Sequence, residues 1–186
     1  MDRREAVQYI SLLLGGTLVG GNAFLTGCKS NTGTAAAFTT EDISYLDEIA
    51  NTILPDTSTP GAKAAQVGQF MTVMVNDCYD EKDQKIFHDG MKKLNDEAGK
   101  TYSGSFMKLN DQQRHDLLVK LDNEQKDYMK NKKTEEPSHY FRMMKELTLL
   151  GYFTSEIGCT KARRYVETPG RYEGCIPYKK GDKAFA

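Results

Sequence analysis

Between Pro137 and Gly158 runs the segment that most constrains this chain. Tyr140, Phe141, Met143, Met144, Leu147, Leu149, Leu150, Tyr152, Phe153 and Ile157 project around nearly the whole helical wheel rather than along one stripe. A helix apolar on all sides belongs in an interior, so the remaining elements must pack around it. Pro137 in its first turn and Gly158 just past its end bracket it. Arg142 and Glu146 lie four apart within it, the spacing of an intrahelical ion pair.

The elements available to surround it are also helices. Thr39 precedes Glu41 and Asp42 as an N-cap, and Ile43, Leu46, Ile49, Ala50 and Ile53 follow at helical spacing until Pro55 stops the run. Val67, Phe70, Met71, Met74, Val75 and Cys78 form one apolar stripe. Asp80 caps a third helix with Ile86, Phe87, Met91 and Leu94 inward, ended by Gly99. Asn110 and Gln113 form a capping box ahead of Leu117, Leu118, Leu121 and Tyr128, and the charged stretch 126–136 reads as a solvated face or loop. The fold class is mainly α: a single bundle of about five helices, wrapped by an irregular C-terminal tail rich in Gly, Pro and Tyr.

At 186 residues the chain holds one ordinary domain. Its 25 basic and 26 acidic residues lack the one-sided positive field that nucleic-acid binding needs. A mean hydropathy of −0.60 excludes a multi-span membrane protein. Any membrane association must come from a terminus.

Residues 1–27 read as a signal peptide: a charged start, an apolar stretch too short to span a bilayer, then Leu25-Thr26-Gly27-Cys28. That ending resembles the bacterial lipobox, in which the cysteine is acylated and becomes the new N-terminus; the bland alternative is a free cysteine beside an ordinary cleavage site. Adjacent Arg3 and Arg4 resemble the twin-arginine export signal, although Ala6 and Val7 stand where larger apolar residues are usual, and ordinary secretion is the other reading. Residues 28–38 then form the lipidated cysteine and a flexible tether, and 39–186 the helical domain.

With Cys28 assigned to lipid, Cys78, Cys159 and Cys175 remain. In an oxidising compartment, a Cys78–Cys175 disulfide would pin the tail to the core and leave one spare thiol. Cys159 with Cys175, or three free thiols, are the alternatives. His88, His115 and His139 are far apart and form no helical ligand pair, and no Cys-x-x-Cys-His is present. Neither a serine elbow nor a paired-carboxylate motif stands out, so no catalytic, cofactor-binding or metal-binding residue is assigned.

The long run Tyr140 to Gly158, with Ile53-Leu54-Pro55-Asp56-Thr57, Thr59-Pro60-Gly61-Ala62 and Pro169-Gly170-Arg171-Tyr172-Glu173-Gly174-Cys175, resembles the gluconate 2-dehydrogenase subunit 3 family. The resemblance covers about residues 40–183. It implies a non-catalytic small subunit that accompanies a large FAD-dependent dehydrogenase of the glucose-methanol-choline type, often with a cytochrome c carrying haem. It further implies that the small subunit supplies the export signal and that the flavin subunit crosses the membrane folded in its company. Cys28 would here add a lipid anchor in the bacterial cell envelope, facing the periplasm. Tyr165, Arg171, Tyr172 and Tyr178 are the candidates for partner contact, since interfaces favour Tyr and Arg; covering the fifth helix is the alternative role. The competing functional class is a free-standing envelope lipoprotein that binds or oxidises a carbohydrate unaided, which would need a concave polar pocket.

Overall fold

A computed structural model describes residues 37–168, 170, 171 and 173–185 of the chain. Five α-helices are found among the described residues: α1 Thr40–Ile53, α2 Val67–Cys78, α3 Glu81–Tyr102, α4 Asp111–Asn131 and α5 Tyr140–Thr154. A short 3-10 turn, Phe106–Lys108, joins α3 to α4, and a π turn, Gly158–Ala162, follows α5. The mainly helical bundle is thus the one expected from the apolar spacings.

Helix α5 touches all four others, which is the packing that its apolar circumference requires. Phe141, Met144, Leu147 and Tyr152 are buried in the core with Leu46, Ile49, Met71, Phe87, Leu94 and Leu121 from the surrounding helices. Two close approaches set its depth. A Cβ on Gly90 of α3 would collide with the Tyr140 side chain, and one on Gly151 of α5 would lie 2.6 Å from the Phe70 ring of α2. The burial is incomplete on one side, where Leu149 and Leu150 are exposed.

Helix boundaries follow the capping chemistry. Thr39 and Asp42 form a reciprocal capping box on α1, and Asn110 and Gln113 form another on α4. Asp80 Oδ1 accepts the Asp83 N–H at 2.8 Å to start α3. Helix α3 runs through Gly99 rather than ending there, because Tyr102 continues its core-packed face; Ser103, at φ 56, provides the left-handed cap and donates to Gly99 O. The charged stretch after Lys126 is helical to Asn131, with Lys126 paired to Asp122 on its solvated side. Pro137 lies outside α5 instead of in its first turn: His139 Nδ1 accepts the Phe141 N–H at 3.2 Å and fixes the start at Tyr140, while Pro137 O accepts the Tyr128 hydroxyl at 3.1 Å. Arg142 and Glu146 make the expected intrahelical pair at 2.6 Å.

Charged groups tie the helices together at their rims. Glu48 of α1 accepts from Lys63 and, at 2.6 Å, from Arg114 of α4. Burial works against its ionisation, yet the hydrogen bond and charge of Lys63, together with Arg114, outweigh that and hold the carboxyl below its ordinary range. Arg114 also donates to Met107 O at 2.8 Å, fixing the 3-10 turn. Asp122 of α4 accepts from Lys145 of α5 at 2.6 Å. The loop between α1 and α2 is bound to the last helix, because the Tyr152 hydroxyl donates to Pro60 O at 2.6 Å across 92 residues. No helix among the described residues is long and apolar enough to cross a membrane.

Candidate partner-binding surface

The tail takes its course from the end of α5. Ser155 stops the helix, its hydroxyl donating to Tyr152 O at 2.7 Å and accepting the Gly158 N–H at 3.0 Å. The π turn follows, and Arg163 then places its guanidinium 4.6 Å from the Phe153 ring centre. To this point the tail covers the end of α5. Beyond it the chain leaves the bundle and closes on itself: Arg164 N–H donates to Ala184 O at 2.8 Å, Arg164 and Phe185 form a parallel bridge, and the Arg164 guanidinium sits 4.0 Å from the Phe185 ring centre. Lys183 Nζ donates to Lys161 O beside this clasp.

The clasp holds a loop of residues 165–183 whose described members are all exposed. Its far limb turns at Lys179 to Asp182: Asp182 N–H donates to Lys179 O at 3.0 Å, and Lys179 N–H to Asp182 Oδ2 at 2.8 Å. Gly181 has φ +97 there, a conformation that glycine adopts without steric cost. The loop presents apolar side chains to solvent: Tyr165 at 55% exposure, Tyr178 at 75%, with Val166 and Ile176 also open. Arg171 is exposed and pairs with Glu173 at 2.5 Å.

Three of the four partner-contact candidates, Tyr165, Arg171 and Tyr178, therefore sit exposed on one loop. Tyr172 lies outside the described residues, as do Cys28, Arg3 and Arg4. Sequence reasoning missed Val166, Ile176 and the Arg164–Phe185 clasp. A countable signal was available: residues 161–185 carry seven basic and three acidic side chains in a protein of net charge −1.

The expected Cys78–Cys175 disulfide is not formed. Cys78, Cys159 and Cys175 are free thiols. The tail instead closes on its own start, where Arg164 N–H donates to Ala184 O. Cys78 Sγ contacts Met74 Sδ at 3.9 Å, and Cys159 Sγ donates to Phe153 O at 3.3 Å.

A concavity of about 530 Å³ lies among α3, α4 and residues 137–140, with Lys93, Glu97, Lys100, Glu124 and His139 on its walls. On its wall Glu97 accepts from Lys100 at 2.8 Å and from Lys120 of α4 at 3.2 Å, which lowers its carboxyl from the ordinary value. Burial raises the Tyr140 phenol on its floor well above the usual range. Among the described residues no three His, Cys, Asp or Glu side chains are grouped to hold a metal ion. His88 stacks on Phe38 at 4.3 Å, and His139 caps α5.

No curated protein and no solved structure matches the chain. The family model described as gluconate 2-dehydrogenase subunit 3 matches residues 40–170, from the first residue of α1 into the tail loop. With the helical bundle, this coverage means that the chain belongs to the gluconate 2-dehydrogenase subunit 3 family.

Proposed function

We propose that this chain is the non-catalytic accessory subunit of a glucose-methanol-choline-type FAD-dependent sugar or polyol dehydrogenase, accompanying its export and maturation and holding it to the bacterial cell envelope. The observation that carries the reading is the family match over residues 40–170, standing behind an N-terminal segment with Arg3-Arg4 and Leu25-Thr26-Gly27-Cys28. A flavin enters a folded pocket and is supplied in the cytoplasm, so a route for folded cargo preserves the loaded enzyme. Arg3 and Arg4 would address that route for both proteins. Acyl chains on Cys28 would then retain the complex at the membrane facing the periplasm, since each buried methylene contributes about 0.8 kcal/mol and two or more chains hold where one is marginal. FAD belongs to the partner in this reading, and haem c to a further cytochrome subunit where one is present.

The test is export of the pair. Replacing Arg3 and Arg4 by lysines should leave this chain and the flavin subunit together in the cytoplasm, and Cys28→Ser should release both from washed membranes. A flavin subunit that is exported and fully active in a strain lacking this chain overturns the proposal.

A further inference from the structure

The clasped loop of residues 165–183 has three properties that an idle tail lacks. Its ends are fixed to each other by a main-chain hydrogen bond, a cation–π contact and a lysine-to-carbonyl bond, so that it projects from one place at the end of α5. It exposes Tyr165, Val166, Ile176 and Tyr178, none of which belongs to the buried core. Its far limb is also basic, with Lys179, Lys180 and Lys183 against Asp182 alone, while the loop as a whole carries four basic and three acidic residues. Long loops in compact domains usually carry function, and a loop tied at its base loses less conformational freedom when a partner binds.

We infer that this loop docks the chain onto an acidic face of the flavin-carrying dehydrogenase subunit, with Tyr165, Ile176 and Tyr178 filling apolar slots and Lys179 and Lys180 of the basic far limb meeting carboxylates. The inference rests on the accessory-subunit reading. The chemistry fits a protein surface better than a lipid one. Glu167, Glu173 and Asp182 alternate with the basic residues, whereas surface-bound membrane segments separate a basic face from a continuous apolar one. Tyrosine and arginine dominate protein interfaces because they combine area with directional polar contacts. The Lys179–Asp182 turn presents Lys179 and Lys180 together at the loop's far limb.

The experiment is capture of the flavin subunit by the tagged full chain at low ionic strength, read by co-eluting flavin absorbance. Lys179→Glu with Lys180→Glu should weaken capture by about tenfold or more, and Tyr178→Ala should weaken it at any salt concentration. Phe185→Ala should weaken it by opening the clasp. Thermal unfolding followed by circular dichroism should show the bundle unchanged in all three variants. The same charge change on α3, Lys82→Glu with Lys85→Glu, should leave capture at the wild-type level. Equal capture by every variant overturns the docking loop while leaving the accessory reading intact. Equal loss with the α3 control also overturns it, because net charge alone would then explain the effect. Failure of the wild-type chain to capture the flavin subunit overturns both readings. Loss of sedimentation with phosphatidylglycerol vesicles, with capture of the subunit unaffected, reassigns the loop to the membrane and overturns the inference.

Discussion

Asp47 of α1 accepts the main-chain N–H of Gly68 at 2.7 Å, so one helix supplies the cap that its neighbour lacks. Gln66, at the N-cap of α2, is left-handed with φ 53, and its side chain makes no capping bond. The first N–H groups of a helix need acceptors, and a carboxylate there also meets the positive end of the helix dipole. Burial raises the Asp47 carboxyl above its ordinary value, with the Gly68 N–H and Lys63 pulling in the opposite direction.

Removing this cap should be costly from either side. Asp47→Ala should lower stability by about 1–2 kcal/mol, the range for a lost helix cap. Gly68→Ala should cost about 1–3 kcal/mol by overpacking, since the new Cβ would meet Ile43 O at 2.6 Å and Asp47 Oδ1 at 2.7 Å. Urea midpoints at constant slope measure both, and a neutral Gly68→Ala would show that α1 and α2 can separate freely.

The α3–α5 approach gives a second prediction. Gly90→Ala should destabilise by about 1–3 kcal/mol, because Tyr140 would have to leave its position over α3. Near-ultraviolet circular dichroism should report the displaced tyrosine along with the shift in midpoint.

These contacts mark the line between what was legible and what was not. The spacing of Leu46, Ile49, Met71, Phe87 and Leu121 exposed the core, and Thr39 ahead of an acidic first turn and the Asn110–Gln113 pair marked two helix starts, because apolar period and capping chemistry are local properties. Pro137 misled because its carbonyl is held by Tyr128, nine residues earlier, a contact that no local pattern encodes. Ser103 replaced Gly99 as the end of α3 because the core reached Tyr102. Tyr165, Arg171 and Tyr178 could be chosen by residue type. The clasp joining Arg164 to Phe185 depends on the path of the backbone between them.

His139 makes the start of α5 sensitive to pH. Its Nδ1 must be unprotonated to accept from Phe141, and burial lowers its pKa from the ordinary histidine value. A histidine with a depressed folded pKa contributes stability above about 6.5, the value in the unfolded chain, and loses it as pH falls through the folded value. Protonation also places a positive charge at a helix N-terminus. Stability should therefore decline from pH 7 towards pH 5, and His139→Asn, which caps without titrating, should flatten that decline in urea unfolding.

Asp122 titrates lower still. Burial disfavours its ionisation, but hydrogen bonds from Lys126, Lys145 and Gln125 prevail and bring it to about 2 from 3.8. Its contribution is present above pH 3.8 and lost as pH falls through 2. Asp122→Asn should cost about 1 kcal/mol at pH 7 after allowance for solvent screening, with the difference vanishing towards pH 2. A constant difference across that range would assign the loss to packing instead.

The hydrogen bond from Tyr152 to Pro60 carries a consequence for how the protein is made. The loop after α1 closes only on a side chain that emerges from the ribosome 92 residues later, and α1 itself packs against the helix bearing that side chain. Contacts of such long sequence separation delay folding until both ends of the span exist. Chains released before residue 152 should therefore remain protease-sensitive throughout, and resistance should arise in one step as synthesis passes the end of α5, with no folded half-domain appearing earlier.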